Sequence, residues 1–269
     1  MSIELAAFKT LALRREGGVL HLTLNRPAVR NAMSLLMVRE LRAVLAQAEL
    51  KGDTRVIVLR GAGGHFCAGA DLADMAAARS KIADEPEALA DTNAAFGELC
   101  LAFAQTGIAL VAVVEGSCMG GGFGLACVAD VTLAASSARF RLPEASLGLV
   151  PAQIAPWLVE RLGYAEAKRL AVTGGRLNAD EALALRLVHG VSAVDALDAA
   201  LAQVLADIQQ NAPGAVAASK ALIAKARFQP PAALVREAAA VFSAAALGPE
   251  GTEGTTAYLQ KRKPSWALV

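Results

Sequence analysis

Apolar positions recur along this chain with two periods, and the places where one period gives way to the other outline its elements. Leu11 to Arg15 and Val19 to Asn25 alternate around Gly17-Gly18, the mark of a β-hairpin. From Ser34 the run LLMVRELRAVLAQAEL repeats apolar residues at helical spacing, with Ser34 placed to cap it. Arg55 to Arg60 (RVIVLR) reads as a buried strand, followed by the glycine loop GAGGHFCAGAD and a short helix beginning near Asp71. Ala76 to Pro86 is polar and Ala-rich, which predicts a mobile loop, and Leu89 to Gln105 is amphipathic and helical. Val111 to Val114 is a second buried strand. It breaks at Gly116, passes through Gly120, Gly121 and Gly122, and runs into an apolar helix that ends near Ala129. Val131 to Ala134 and Arg139 to Leu142 are short strands. From Ile154 the pattern is helical almost to the end, with breaks at Gly163, Gly190 and Gly248-Pro249 among others. The expectation is an α/β chain, with a core over residues 1–195 and a helical region over 196–269.

The order strand, glycine loop, helix thus occurs twice, over 56–76 and 111–129. The first N–H groups of a helix have no partner inside it, and the helix dipole favours negative charge at that end. Glycines let a ligand approach the backbone. Several chemistries of such loops are excluded by pattern. There is no GxxxxGK[ST], no GxGxxG in either loop and no GxSxG elbow. What remains is two loops that can each offer a backbone N–H to a developing oxyanion, with Gly121 as the expected donor of the second, and carboxylates nearby. That set suits enolate stabilisation of a thioester.

Composition narrows the surroundings. Of 269 residues 55% are hydrophobic, yet no run of about twenty is free of charge, so no membrane span is expected. Residues 1–10 carry Glu4 and Lys9 and lack the layout of a signal peptide. A net charge of +1, from 26 basic and 25 acidic residues, gives no electrostatic reason to expect nucleic acid. The four cysteines form no CxxC pair, and three scattered histidines form no metal motif. Reduced, buried thiols, no metal and a cytoplasmic location are expected.

LNRPAVRNAMS at 24–34, FCAGADLADM at 66–75, VEGSCMGGGFGLACVADVTLAA at 114–135, FRLPEASLGLVP at 140–151 and AYLQKRKPSW at 257–266 together resemble the crotonase superfamily of enoyl-CoA hydratases and isomerases. The likeness covers nearly the whole chain. It implies a spiral of repeated ββα units with a C-terminal helical region that assembles trimers or hexamers. It implies an acyl-CoA substrate, with coenzyme A as part of that substrate and no separate cofactor. By position it implies oxyanion donors at the N–H groups of Ala70 and Gly121. It implies adenine contacts through the backbone of Ala68, Ala70 and Leu72, and CoA contacts from Tyr258 and Lys261. Arg26 and Arg30 are candidates for the CoA phosphates, against the alternative of an ordinary solvated face.

The carboxylates carry the departure. The resemblance implies two catalytic glutamates, one in a GGGxE pattern and one in FxxPE. The first position is Gly124 here, and the second is Glu144. Gly124 predicts spare volume beside the acyl group, with Met75 as a further pocket residue, and a Glu at 124 is expected to restore ordinary hydratase chemistry. Residues 153–156 also replace the usual glycines and Thr of the family. This single-glutamate pattern is most similar to hydratases of branched glutaconyl-CoA esters, the isohexenylglutaconyl- and methylglutaconyl-CoA subgroup. One glutamate beside an oxyanion hole fits hydration of an enoyl thioester. It also fits double-bond isomerisation, and a catalytically silent acyl-CoA binder is the reading from another class.

Overall fold

The computed structural model describes residues 8–267. The expectation of no leader rests mostly on residues 1–7, outside that range. The chain divides into two compact units, one of residues 1–104 with 110–201, the other of 105–109 with 202–269.

In the first unit β1 (Leu11–Glu16) and β2 (Val19–Leu24) form the hairpin, with Gly17 at φ 55° in its turn. Helix α1 (Leu35–Lys51) starts where Ser34 accepts a hydrogen bond from Met37 N. It buries Met37, Val38, Leu41, Val44, Leu45 and Ala48, one apolar stripe at helical spacing. Then come β3 (Val56–Gly61), α2 (Leu72–Ser80), α3 (Ala88–Gln105), β4 (Ala109–Val114), β5 (Ser117–Met119) and α4 (Gly121–Val128). They are followed by β6 (Val131–Ala135), β7 (Arg139–Arg141), α5 (Ala155–Leu162), α6 (Tyr164–Thr173), β8 (Arg176–Asn178), α7 (Ala179–Ala184) and β9 (Gly190–Ser192). One sheet runs β1-β2-β3-β4-β6-β9, and a second, of three strands, runs β5-β7-β8. All six residues of β4 are buried, which is why it reads as a continuous apolar run.

Two expectations are corrected. Half of the 76–86 loop is helix. Asp71 caps α2 by accepting from Ala73 N, and the helix continues to Ser80 before turns lead into α3. The stretch after Ile154 is also not all helix. Strand β8 pairs antiparallel with β7, and β9 parallel with β6. Both strands are three residues long, too short for an alternating pattern to register.

The second unit carries most of α8 (Leu197–Gln209), then α9 (Pro213–Ala226), α10 (Pro231–Leu247) and α11 (Pro249–Leu259). Prolines open the last three helices, at the position where a missing N–H is harmless. Glu250 in α11 accepts from Gly214 N and Ala215 N, capping α9. Arg262 forms a two-pronged pair with Glu253, which also accepts from Ser265 N and is held down to a pKa of about 2 by these partners. No single helix among the described residues is long and apolar enough to cross a membrane.

Candidate active site

The two glycine loops are zipped together by backbone hydrogen bonds. Phe66 N donates to Glu115 O, Cys67 N to Ser117 O, and Met119 N to Cys67 O, at 2.8–2.9 Å. Missing side chains permit this approach. A Cβ on Gly122 would lie 2.7 Å from Cys67 Cβ, and one on Gly116 would lie 2.3 Å from Gly64 O. Gly69, at φ 97°, rests against Met119 O.

The zip fixes two donors. Met33 bridges Ala70 in parallel, with Met33 N donating to Gly69 O and Asp71 N donating to Met33 O. In such a bridge the N–H of Ala70 itself points away from Met33. Gly121 is the first residue of α4, so its N–H has no partner within the helix. Ala70 and Gly121 line one cavity of about 540 Å³, at the positive end of that helix.

Glu144 lines the same cavity. The pairing of β5 with β7 sets Met119 opposite Arg141, and Gly120 N donates to Arg141 O. The chain then turns at Pro143, and Glu144 opens a short 3₁₀ turn ended by Gly148 at φ 70°. Its side chain lies against Gly120, where a Cβ would come within 2.9 Å of Oε1. Oε2 is buried and has no hydrogen-bond partner among the described residues. Burial therefore raises the Glu144 pKa above the usual carboxylate value. This is the pattern of an acid/base group. The other two carboxylates in the wall are engaged. Asp71 pairs with Arg26 at 2.7 Å, and Asp74 accepts from Leu35 N at 2.6 Å.

Met75 is part of the lining. Gly124 offers no spare volume, a correction to the sequence expectation. A Cβ there would lie 2.3 Å from Ile154 Cγ2. Ile154, which stands at one of the replaced family glycines, is itself buried and forms part of the cavity wall. The space of the absent carboxylate is thus filled from the other side.

Arg26 Nη1 donates to Asp71 and to Ala32 O, which ties the 26–33 loop to the cap of α2. Arg30 is exposed at φ 48°, and its carbonyl accepts from Ala68 N. Leu72 is exposed at the start of α2. Tyr258 and Lys261 belong to the second unit and are exposed on it. All four cysteines are free and buried, and burial pushes Cys67 up to about 11 and Cys127 to about 12. Among the described residues no cluster of metal-ligating side chains occurs. The lining residues that the sequence did not single out are Phe96, which rests on Gly121, and Asn93, while Gln153 and Ile154 come from the 153–156 segment already marked as unusual. The signal available for them was a glycine inside a helix, Gly97, together with the unusual 153–156 segment.

The profile of the enoyl-CoA hydratase/isomerase family matches residues 14–268. The chain belongs to that family, within the crotonase superfamily, and is a hydratase-like enzyme. It is 33% identical to the 2,3-dehydroadipyl-CoA hydratase of Escherichia coli, across 95% of this chain and 98% of that protein. It is 30% identical to a peroxisomal Delta(3,5)-Delta(2,4)-dienoyl-CoA isomerase of Arabidopsis thaliana, across 99% and 100% of the two chains. The solved structure of Pseudomonas aeruginosa AtuE superposes with a TM-score of 0.93 at 52% identity, covering 97% of this chain and all of that one.

Proposed function

We propose that the chain hydrates a branched glutaconyl-CoA ester, or dehydrates the corresponding hydroxyacyl-CoA, with Glu144 as the one acid/base. The observation that carries this reading is the buried, unpartnered Oε2 of Glu144 in the cavity that Ala70 and Gly121 also line. The thioester carbonyl accepts from both N–H groups. As charge moves onto that oxygen, the two bonds strengthen, each contributing about 3 kcal/mol to the transition state. Glu144 takes a proton from water as its oxygen bonds to Cβ. The electron pair of the double bond moves to the enolate, and Glu144 returns a proton to Cα on the same face. Isomerisation needs the same three groups and no water.

Incubation with 2-enoyl-, 3-enoyl- and branched glutaconyl-CoA esters, followed by product mass, tests the reading. A gain of one water on the branched ester supports it. An unchanged mass with a moved double bond makes the enzyme an isomerase, and binding without turnover makes it an acyl-CoA binder. We also propose a cytoplasmic homotrimer or hexamer, with no cofactor beyond the CoA of its substrate and with CoA contacts from Tyr258 and Lys261. The support for assembly is the apolar surface of the second unit, where Phe228, Phe242, Leu247 and Leu259 are each at least 75% exposed.

A further inference from the structure

The cavity wall contains two nitrogen-bearing side chains, Asn93 and Gln153. Gln153 Nε2 donates to Asn93 Oδ1 at 2.8 Å. Asn93 Nδ2 therefore keeps both of its hydrogens, and no acceptor for them occurs among the described residues. The pair is held in place by an unusual feature of α3. Gly97 lies inside this helix, where glycine is less favourable than alanine. A Cβ there would fall 2.1 Å from Gln153 Oε1, so the glycine is the seat of the Gln153 amide. One turn along α3 from Asn93, Phe96 lies over Gly121, with its ring 3.3 Å from where a Cβ would stand. The amides thus stand about 5 Å along the helix axis from the residue that covers the oxyanion donor.

Among the described residues no Lys, Arg or His side chain lines this cavity. Its hydroxyl, on Thr92, donates back to Ala88 O. Asp71, Asp74 and Glu144 are acceptors. An oxygen acceptor on the acyl chain, away from the thioester, therefore finds its side-chain donors at the amide pair. A purely hydrocarbon chain leaves the pair to water, while an oxygen-bearing one takes up its free N–H groups.

We propose that Asn93 and Gln153 form a specificity subsite that hydrogen-bonds an oxygen carried by the acyl chain. That this oxygen belongs to a carboxylate rests on the glutaconyl reading above. The test uses Glu144→Gln protein, so that binding is read without turnover. Titration calorimetry gives Kd for a 3-branched glutaconyl-CoA and for its analogue with methyl in place of the carboxylate. The carboxylated ligand is expected to bind at least tenfold tighter. Adding Asn93→Leu, at an exposed position that leaves the melting temperature unchanged, brings the two Kd values to within about twofold. Adding Asn93→Asp sets a like charge there and reverses the preference. No preference at the start, or a preference that survives both changes, overturns the subsite. The same esters are given to protein with Glu144 intact. If their masses do not change while the preference and its loss persist, the subsite stands and the hydration reading fails.

Discussion

The cavity is built in two ways. Ala70 and Gly121, the proposed oxyanion donors, are positioned by backbone, through a zip of amide hydrogen bonds between two glycine loops. The 149–154 segment is positioned by side chains, with Gln153 seated on Gly97 and Ile154 on Gly124. Backbone positioning is indifferent to side-chain chemistry, provided the glycines remain. Side-chain seating is a matched pair, in which one partner cannot change without the other. The first arrangement suits groups that every thioester needs. The second suits the part of the pocket that differs from one acyl chain to another.

The contrast can be broken at each part. Glu144→Gln removes the proposed acid/base and is expected to lower kcat by about 10²- to 10⁴-fold, with CoA binding and fold retained. Steady-state kinetics on the hydrated ester reads this. Gly122→Ala pushes a methyl into Cys67 and parts the zip. Losing the alignment of one donor predicts a fall in kcat of about a hundredfold or more, with a smaller change in KM. If kcat holds, the donors are not set by the zip.

The seated pair predicts coupling. Gly124→Ala drives a Cβ into Ile154 and is expected to lose about 1–3 kcal/mol of stability. Ile154→Ala empties the same place and loses about 2–5 kcal/mol. The double variant should be more stable than the sum of the losses allows, by about 1 kcal/mol or more in urea denaturation. Strict additivity would show that the two residues do not share a site. Gly124→Glu alone is expected to destabilise rather than restore a second carboxylate.

The smallest effect is a pH dependence. The folded Glu144 pKa is raised from its ordinary value of 4.5 by burial. Above that value the folded protein holds more proton at this site than the unfolded chain does. Its contribution to stability is therefore present at low pH and lost as pH rises through the folded pKa. Glu144→Gln removes the loss, so the variant should gain in melting temperature relative to wild type as pH rises above the ordinary carboxylate value of 4.5 and through the raised folded pKa. A difference that does not change over this range would mean that Glu144 is not held in a dry site.

Much of the backbone-built part was legible in the chain. Val111–Val114, the triple glycine and the Ser34 and Asp71 caps are local signals, and they fall where the elements begin and end. So is the FxxPE pattern that marks Glu144. The seated part was not legible, because the partners of a glycine lie far along the chain. Gly124 looks like open space in one dimension, and only folding brings Ile154 Cγ2 against it. Likewise Arg26 looks free until the fold delivers Asp71, 45 residues away. The strands β8 and β9 are three residues each and take their identity from pairing, which no local pattern records.

The most direct test of a single acid/base at Glu144 is the stereochemistry of hydration in D₂O. The product of a branched glutaconyl-CoA is isolated and examined by NMR. One group that takes a deuteron from water and returns it to Cα predicts one deuterium at Cα, on the same face as the new hydroxyl at Cβ. Deuterium on the opposite face would require a second acid, and would contradict a site with Glu144 as its one proton carrier.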